Sequence, residues 1–315
     1  MTTEPVKSRA VGNTGITLTE LTQGTWGLFT NAYGHTFPEQ QTRTLEAALT
    51  HGIRSFDMAP CWGEDGQSER AVAAAVGAAG LRDQVVYITR AGQLASEHGW
   101  LTDFSPQALR SSCEASLQRL ATDRIDIWLL HNPSEADLRK QETQDLAEAL
   151  VREGKIRAWG ASVARLDDAQ AALDAGAQVL CLPFHLLAPR LVWDLEADLR
   201  ARRVGLLARS GLNHGLLAGR WLGRKRFAPD DHRAQRWSSE ALIERLEQLG
   251  ERRFLQHGPV LTMAQGAQRF VLAHDVVSSL VIGARTPGHV DASIDVGAFP
   301  YLPAEDLTRL RGMHE

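Results

Sequence analysis

Three residues of this sequence close short apolar runs: Asp57 ends Ile53–Asp57, Arg90 ends Val85–Arg90 and His131 ends Ile125–His131. A carboxylate, a guanidinium and an imidazole at successive run ends could form a charged scaffold beside a group that moves protons near neutral pH. Taken singly, each has an ordinary reading. A strand-end aspartate is as often a structural cap, and a lone histidine is more often a satisfied hydrogen-bonder. Their joint occurrence on three consecutive runs favours a functional site. The three cysteines, Cys61, Cys113 and Cys181, are isolated. They show neither a CxxC pattern nor a disulfide framework, so no metal site is expected and a reducing cytoplasm is the expected location.

The elements that must position these groups are legible from periodicity. Strands are expected at Leu21–Gly24, Ile53–Asp57, Val85–Arg90, Ile125–His131, Ile156–Ser162, Val179–Phe184, Val204–Ala208 and Leu280–Gly283. Helical spacing fills the intervals at Glu39–His51, Ser68–Val76, Pro106–Ala121, Glu142–Glu153, Leu166–Ala175 and Leu191–Arg202. Ser105-Pro106 reads as an N-cap followed by proline at the first helical position, and Gly52 and Gly176 stand where helix C-terminal glycines belong. Eight such alternations imply an α/β (β/α)₈ TIM barrel spanning residues 1–315 as one domain. Val11–Thr19, with Asn13-Thr14-Gly15, reads as a hairpin under the barrel. Residues 213–262 read as a long insertion before the last helix and strand, with a helix at Ser239–Phe254. In a barrel of this kind functional groups gather at the C-terminal strand ends, where Asp57, Arg90 and His131 fall.

Bulk properties narrow the partners. The chain has 315 residues, 43% hydrophobic and 23% charged, with a net charge of -4. No basic excess points to nucleic acid, and the Arg224-Lys225-Arg226 run reads as a solvated loop. No run of about 18 apolar residues suggests a membrane span. Met1–Val11 lacks an apolar h-region, so no signal peptide is expected. A small-molecule substrate is the expected partner. Trp26, Trp62 and Trp100 lie near strand ends and suit a ring-bearing or sugar-like ligand. Alternation assigns Trp128 to packing instead.

Several pieces together resemble the aldo-keto reductases. They are Gly24-Thr-Trp-Gly27, Gly52-Ile-Arg-Ser-Phe-Asp-Met-Ala-Pro60, Gly66-Gln-Ser-Glu69, Arg124-Ile-Asp-Ile-Trp-Leu-Leu-His131, Gly154-Lys-Ile-Arg157 with Gly160-Ala-Ser162, Gly215-Leu-Leu-Ala-Gly219 and Gly283-Ala-Arg-Thr-Pro287. Their order and spacing carry the resemblance nearly end to end. It implies a reductase that uses NADPH on aldehydes and ketones through an Asp, a Tyr, a Lys and a His. Asp57 and His131 match. The Tyr position holds Trp62 and the Lys position holds Arg90.

Both departures change the chemistry. Indole donates one hydrogen bond and does not ionise usefully, and arginine keeps its proton. Arg90 is expected to fork onto Asp57 and to hold its pKa down. That leaves His131 as the expected acid or base, with an inflection between about pH 5.5 and 7.5. Tyr33 and His35, in the loop after the first strand, are its rivals, although packing or substrate contact is the more ordinary role for a loop aromatic. The resemblance also assigns cofactor positions. At the nicotinamide end it gives Ser162, then Val163, Cys181 and Arg209 where the family commonly has Asn, Gln and a stacking aromatic. Arg209 would lie flat on a π-system or reach an anionic substrate. At the phosphate end it gives Ser210, Leu212 and Gly215 around the pyrophosphate, and Gly283, Arg285 and Thr286 at the 2′-phosphate, with Ala292-Ser293 replacing a Glu-Asn pair.

The leading expectation is therefore an NADP(H)-dependent oxidoreductase with a non-standard site, acting on a small carbonyl or alcohol. The alternatives are a non-redox lyase or isomerase on the same barrel, and a catalytically silent nucleotide-binding homologue. Retained phosphate features favour the first reading. Lost nicotinamide contacts favour the second.

Overall fold

A computed structural model describes residues 6–96, 99–221, 225–296 and 301–314. Two short strands, β1 (Ser8–Ala10) and β2 (Thr17–Thr19), pair antiparallel in a hairpin whose first strand lies ahead of the expected Val11–Thr19 span. Eight further strands pair in parallel and close into a barrel. They are β3 (Leu21–Gly24), β4 (Ser55–Asp57), β5 (Val86–Ala91), β8 (Ile125–His131), β9 (Ile156–Ser162), β10 (Val179–Pro183), β11 (Gly205–Arg209) and β12 (Val277–Ile282). Between β5 and β8 lies an unexpected antiparallel hairpin, β6 (Gln93–Ser96) and β7 (Gly99–Thr102). The barrel order is β3-β4-β5-β8-β9-β10-β11-β12, each strand beside its successor.

Burial on both faces accounts for the apolar runs. All seven residues of β8 are buried. One set of alternating positions points into the lumen, where Ile88, Ile127, Leu129, Ala158, Val179, Cys181 and Leu207 pack together. Val11, Ile16 and Leu18 of the hairpin join that cluster and plug its floor. The turn fits because Gly12 has φ +50 and a Cβ there would lie 2.1 Å from the Arg203 carbonyl oxygen. The opposite faces of the strands, including Tyr87 and Trp128, pack under the surrounding helices. Those helices start as their caps require: the Ser105 hydroxyl accepts from the Ala108 N–H ahead of Pro106, and Thr262 forms a capping box with Gln265.

Several boundaries shift: β4 begins at Ser55, β5 runs through Ala91, one residue past Arg90, and β10 ends at Pro183. The last strand begins at Val277, so Gly283 follows it rather than ending it. β11 extends through Arg209, which places that residue at the strand end itself. The helix of the 213–262 insertion is Ser239–Glu251, followed by a separate turn at Arg253–Leu255. No helix among the described residues is long and apolar enough to cross a membrane.

Candidate active site

Strand register brings the three run-end residues together. Asp57 of β4 pairs with Ile88 of β5, and Arg90 lies two positions further along on the same lumen face. Its side chain turns back onto Asp57. Nη2 donates to both carboxylate oxygens at 2.9 and 2.8 Å, and Nε donates to Oδ1 at 3.2 Å. Nη1 donates to the Ser162 hydroxyl at 2.5 Å, and Nη2 also points at the Cys181 sulfur at 3.5 Å. Both partners of the ion pair are nearly sealed from solvent, at 4% and 3% side-chain exposure. Burial lifts the Asp57 carboxyl above its ordinary value although Arg90 opposes the shift, so the expected depression is not found. Burial works against the Arg90 charge, but Asp57 and then Cys181 outweigh it and push the pKa up, so the guanidinium keeps its charge.

His131 closes β8 opposite Ser162 of β9. It is buried, with Nδ1 3.7 Å from the Cys61 sulfur. The Trp62 ring meets the imidazole edge-on, with centroids 5.8 Å apart, and lies 5.0 Å from the Arg90 guanidinium carbon. Burial, then the Arg90 and Arg209 cations, hold the His131 pKa well below its ordinary value. The imidazole is therefore neutral through the physiological range, and the expected inflection near neutrality moves to lower pH.

These groups line one end of a cavity of about 1160 Å³, which continues past Arg209, Ser210, Leu212 and Gly215 to Gly283, Arg285 and His289. At the strand end, Arg209 leans across so that Nη2 donates to the Val163 carbonyl at 3.2 Å. The next segment is tightly wound: Ser210, Asn213 and His214 all have positive φ, as does Gly215 at +92. Successive left-handed turns of this kind form concave loops suited to anions. Thr286 does not line the cavity. It caps the helix Pro287–Ile294, its hydroxyl accepting from the His289 N–H.

Arg285 lines the cavity, but its guanidinium is already engaged. It donates to the carbonyls of Tyr33 and Gly34 at 3.0 and 2.8 Å and to the Thr36 hydroxyl at 3.0 Å. Tyr33 itself lines the cavity, with its hydroxyl 2.9 Å from His214 Nδ1. Burial pushes its phenol pKa up. His35, the other rival, does not reach the site: it is exposed and stacks edge-on against Phe37 at 4.9 Å.

With this geometry in place, the comparisons are decisive for the family. The sequence matches the aldo/keto reductase family over residues 20–315. The chain belongs to that family. It is 27% identical over 295 residues to the aldo-keto reductase YhdN of Bacillus subtilis (strain 168), covering 91% of this chain and 87% of that one. It is 27% identical over 330 residues to the NADH-specific methylglyoxal reductase of Escherichia coli (strain K12), covering 98% and 99%. Among solved structures, the holo form of an aldo-keto reductase from Bacillus halodurans superposes with a TM-score of 0.82 at 25% identity, covering 98% and 96%.

Within this aldo/keto reductase barrel, Asp57, Trp62, Arg90, His131, Ser162 and Arg209 converge at the same cavity end. Two contributors went unmarked in the sequence. Cys61 faces His131 from the turn after β4. Asn132 lines the cavity in the left-handed conformation directly after the strand-end histidine. Trp100, expected among the cavity aromatics, lines the cavity from the β6–β7 hairpin, an element that no periodicity revealed. For Asn132 the available signal was position, since it follows a strand end. Trp26 and Trp62 also line the cavity, and Trp128 is buried in packing as alternation required.

Proposed function

We propose that this aldo/keto reductase is an NADP(H)-dependent oxidoreductase acting on a small carbonyl or alcohol, with His131 beside the Asp57–Arg90 pair. The observation that carries the proposal is the continuity of the cavity. It links the buried polar groups at the strand ends to the wound loop at Ser210–Gly215 and the cations near Gly283–His289. A dinucleotide fits that outline at its phosphate end, where Ser210, Leu212, Gly215, Gly283 and Arg285 would hold it. The nicotinamide end fits less fully: Ser162 is present, but its hydroxyl accepts from Arg90, and Arg209 stands where the family resemblance puts an aromatic. When bound, the cofactor supplies or accepts a hydride.

The chain's own residues then orient and polarise. Arg90, held as a cation by Asp57, places a fixed positive charge beside the reacting oxygen. Trp62 presents one N–H donor and covers the ion pair. His131, neutral and packed against Cys61, has one ring N–H to donate and one nitrogen to accept. Relatives suggest substrate size: one is the methylglyoxal reductase above, and another is an L-galactose dehydrogenase of Arabidopsis thaliana, 25% identical over 300 residues.

The test is to titrate the purified protein with NADPH and NADH by fluorescence, then follow hydride transfer to methylglyoxal and glyceraldehyde. Tight NADPH binding with measurable turnover supports the reading. A second reading, a non-redox enzyme on the same barrel, is favoured by Arg209 in the stacking position. Absence of binding to both nucleotides would select it.

A further inference from the structure

The cavity has a charge imbalance that the described side chains do not resolve. Its lining includes the arginines Arg90, Arg209, Arg220, Arg233, Arg253 and Arg285, against two carboxylates, Asp57 and Asp295. Asp57 is consumed by Arg90. Asp295 accepts from Gln265. Arg233 is paired with Asp231. Arg220 and Arg285 lie by His289, at the phosphate end of the outline.

Arg209 differs from these in position. It ends β11, and Nη2 donates to the carbonyl of Val163. The preceding residue, Ser162, takes the hydrogen bond from Arg90 Nη1. Two guanidiniums therefore flank one backbone step, at the end of the cavity that holds His131 and Trp62. One carboxylate serves the two, and Arg90 occupies both of its oxygens. Arg209 meets a single neutral carbonyl, and its Nε is buried with no acceptor among the described residues. Arg209 is half-buried, so a guanidinium partly withdrawn from water without an anion carries a cost, and its planar fork matches a carboxylate.

We propose that Arg209 is the anion-recognition residue of this site, and that the substrate carries a carboxylate close to its carbonyl or carbinol carbon. Small oxo acids, hydroxy acids and sugar acids belong to this class. The inference rests on the reading of the strand-end cavity as the substrate site, and it deepens that reading by naming the substrate class. It also gives a role to the arginine that replaces a ring-stacking group: the same side chain that weakens the nicotinamide seat adds a seat for negative charge.

Binding can be measured apart from turnover. Pyruvate and methylglyoxal differ by one carboxylate for one aldehyde group, so calorimetry with each, with and without saturating NADP+, which has no hydride to deliver, isolates the charge. The wild-type protein is expected to bind pyruvate at least tenfold more tightly than methylglyoxal. Arg209→Gln is expected to erase that preference and Arg209→Lys to keep part of it. Circular dichroism and melting of each variant verify that it is folded. No preference for the carboxylate in the wild type overturns the proposal. So does a tenfold or larger loss of NADPH affinity in Arg209→Gln with pyruvate binding unchanged, because the anion would then be the cofactor's diphosphate. Arg209-dependent carboxylate binding without hydride transfer keeps this proposal and removes the redox reading instead.

Discussion

Arg90 donates three hydrogen bonds to Asp57, at 2.8 to 3.2 Å, from a position two residues beyond that residue's register partner. The pair lies at the barrel mouth with almost no solvent contact. Such a pair is fragile to single changes, because removing one partner strands the other charge. Asp57→Asn or Arg90→Met alone should destabilise the fold by about 3–5 kcal/mol. The double change should cost less than the sum of the two. Urea denaturation of the three variants checks this, and simple additivity would show that the two charges are not coupled.

Restoring the family residues is the direct test of the altered site. Trp62→Tyr with Arg90→Lys returns a phenol and the lysine that pairs with it. The double variant should exceed the parent in NADPH-dependent reduction of methylglyoxal, with each single variant doing less, since the two act as a unit. Arg90→Lys by itself also gives up the hydrogen bond to Ser162 and one of the contacts to Asp57. A folded, NADPH-binding double variant with no gain would place the limitation at Arg209 and Val163.

His131 and Tyr33 make opposed predictions. The Tyr33 hydroxyl is engaged by His214, and burial disfavours its ionisation. Tyr33→Phe should therefore be mild. His131→Asn should lower turnover by about 10² or more on a true substrate. The reverse ranking, read from steady-state kcat, would move the proton to the loop.

The same imidazole sets a pH dependence. His131 is held neutral by burial and by two nearby cations. His185 and His214 follow it for the same leading reason, burial, to about 4 and about 3. The folded state binds protons at these residues more weakly than the unfolded chain, whose histidines titrate near 6.5. Their stabilising contribution is thus present above about pH 6.5 and lost as the pH falls toward the folded values. Each can contribute up to about 1.4 kcal/mol per pH unit in that window. Denaturation midpoints should drop between pH 6.5 and 4, while ring NMR signals of His131 should show no titration near neutrality.

Arg285 tests the cofactor preference. Its guanidinium holds the Tyr33–Thr36 loop through three hydrogen bonds. If it also meets the 2′-phosphate, Arg285→Ala should weaken NADPH by roughly 1.5–3 kcal/mol and leave NADH nearly unchanged. Equal weakening of both, measured by fluorescence titration, would make it a loop tie alone.

The sequence by itself determined the barrel and the ends of four of its strands, Gly24, Asp57, His131 and Ser162. Apolar runs buried on both faces alternate with amphipathic helices, and that pattern depends on local periodicity, which a linear reading recovers. β8 and β9 fall at Ile125–His131 and Ile156–Ser162 in both descriptions. The convergence of Asp57, Arg90 and His131 followed from the same periodicity, because parallel register in a closed barrel brings neighbouring strand ends together. Tertiary structure decided what those groups experience. Burial raised Asp57 and lowered His131, reversing the expected direction for one and moving the other out of the neutral range. It also tied Arg285 to the first loop, left His35 outside the cavity, and set Cys61 against His131. These are effects of desolvation and of contacts between residues up to about 250 positions apart. No local pattern encodes them, because the dielectric around a side chain is set by every element packed against it.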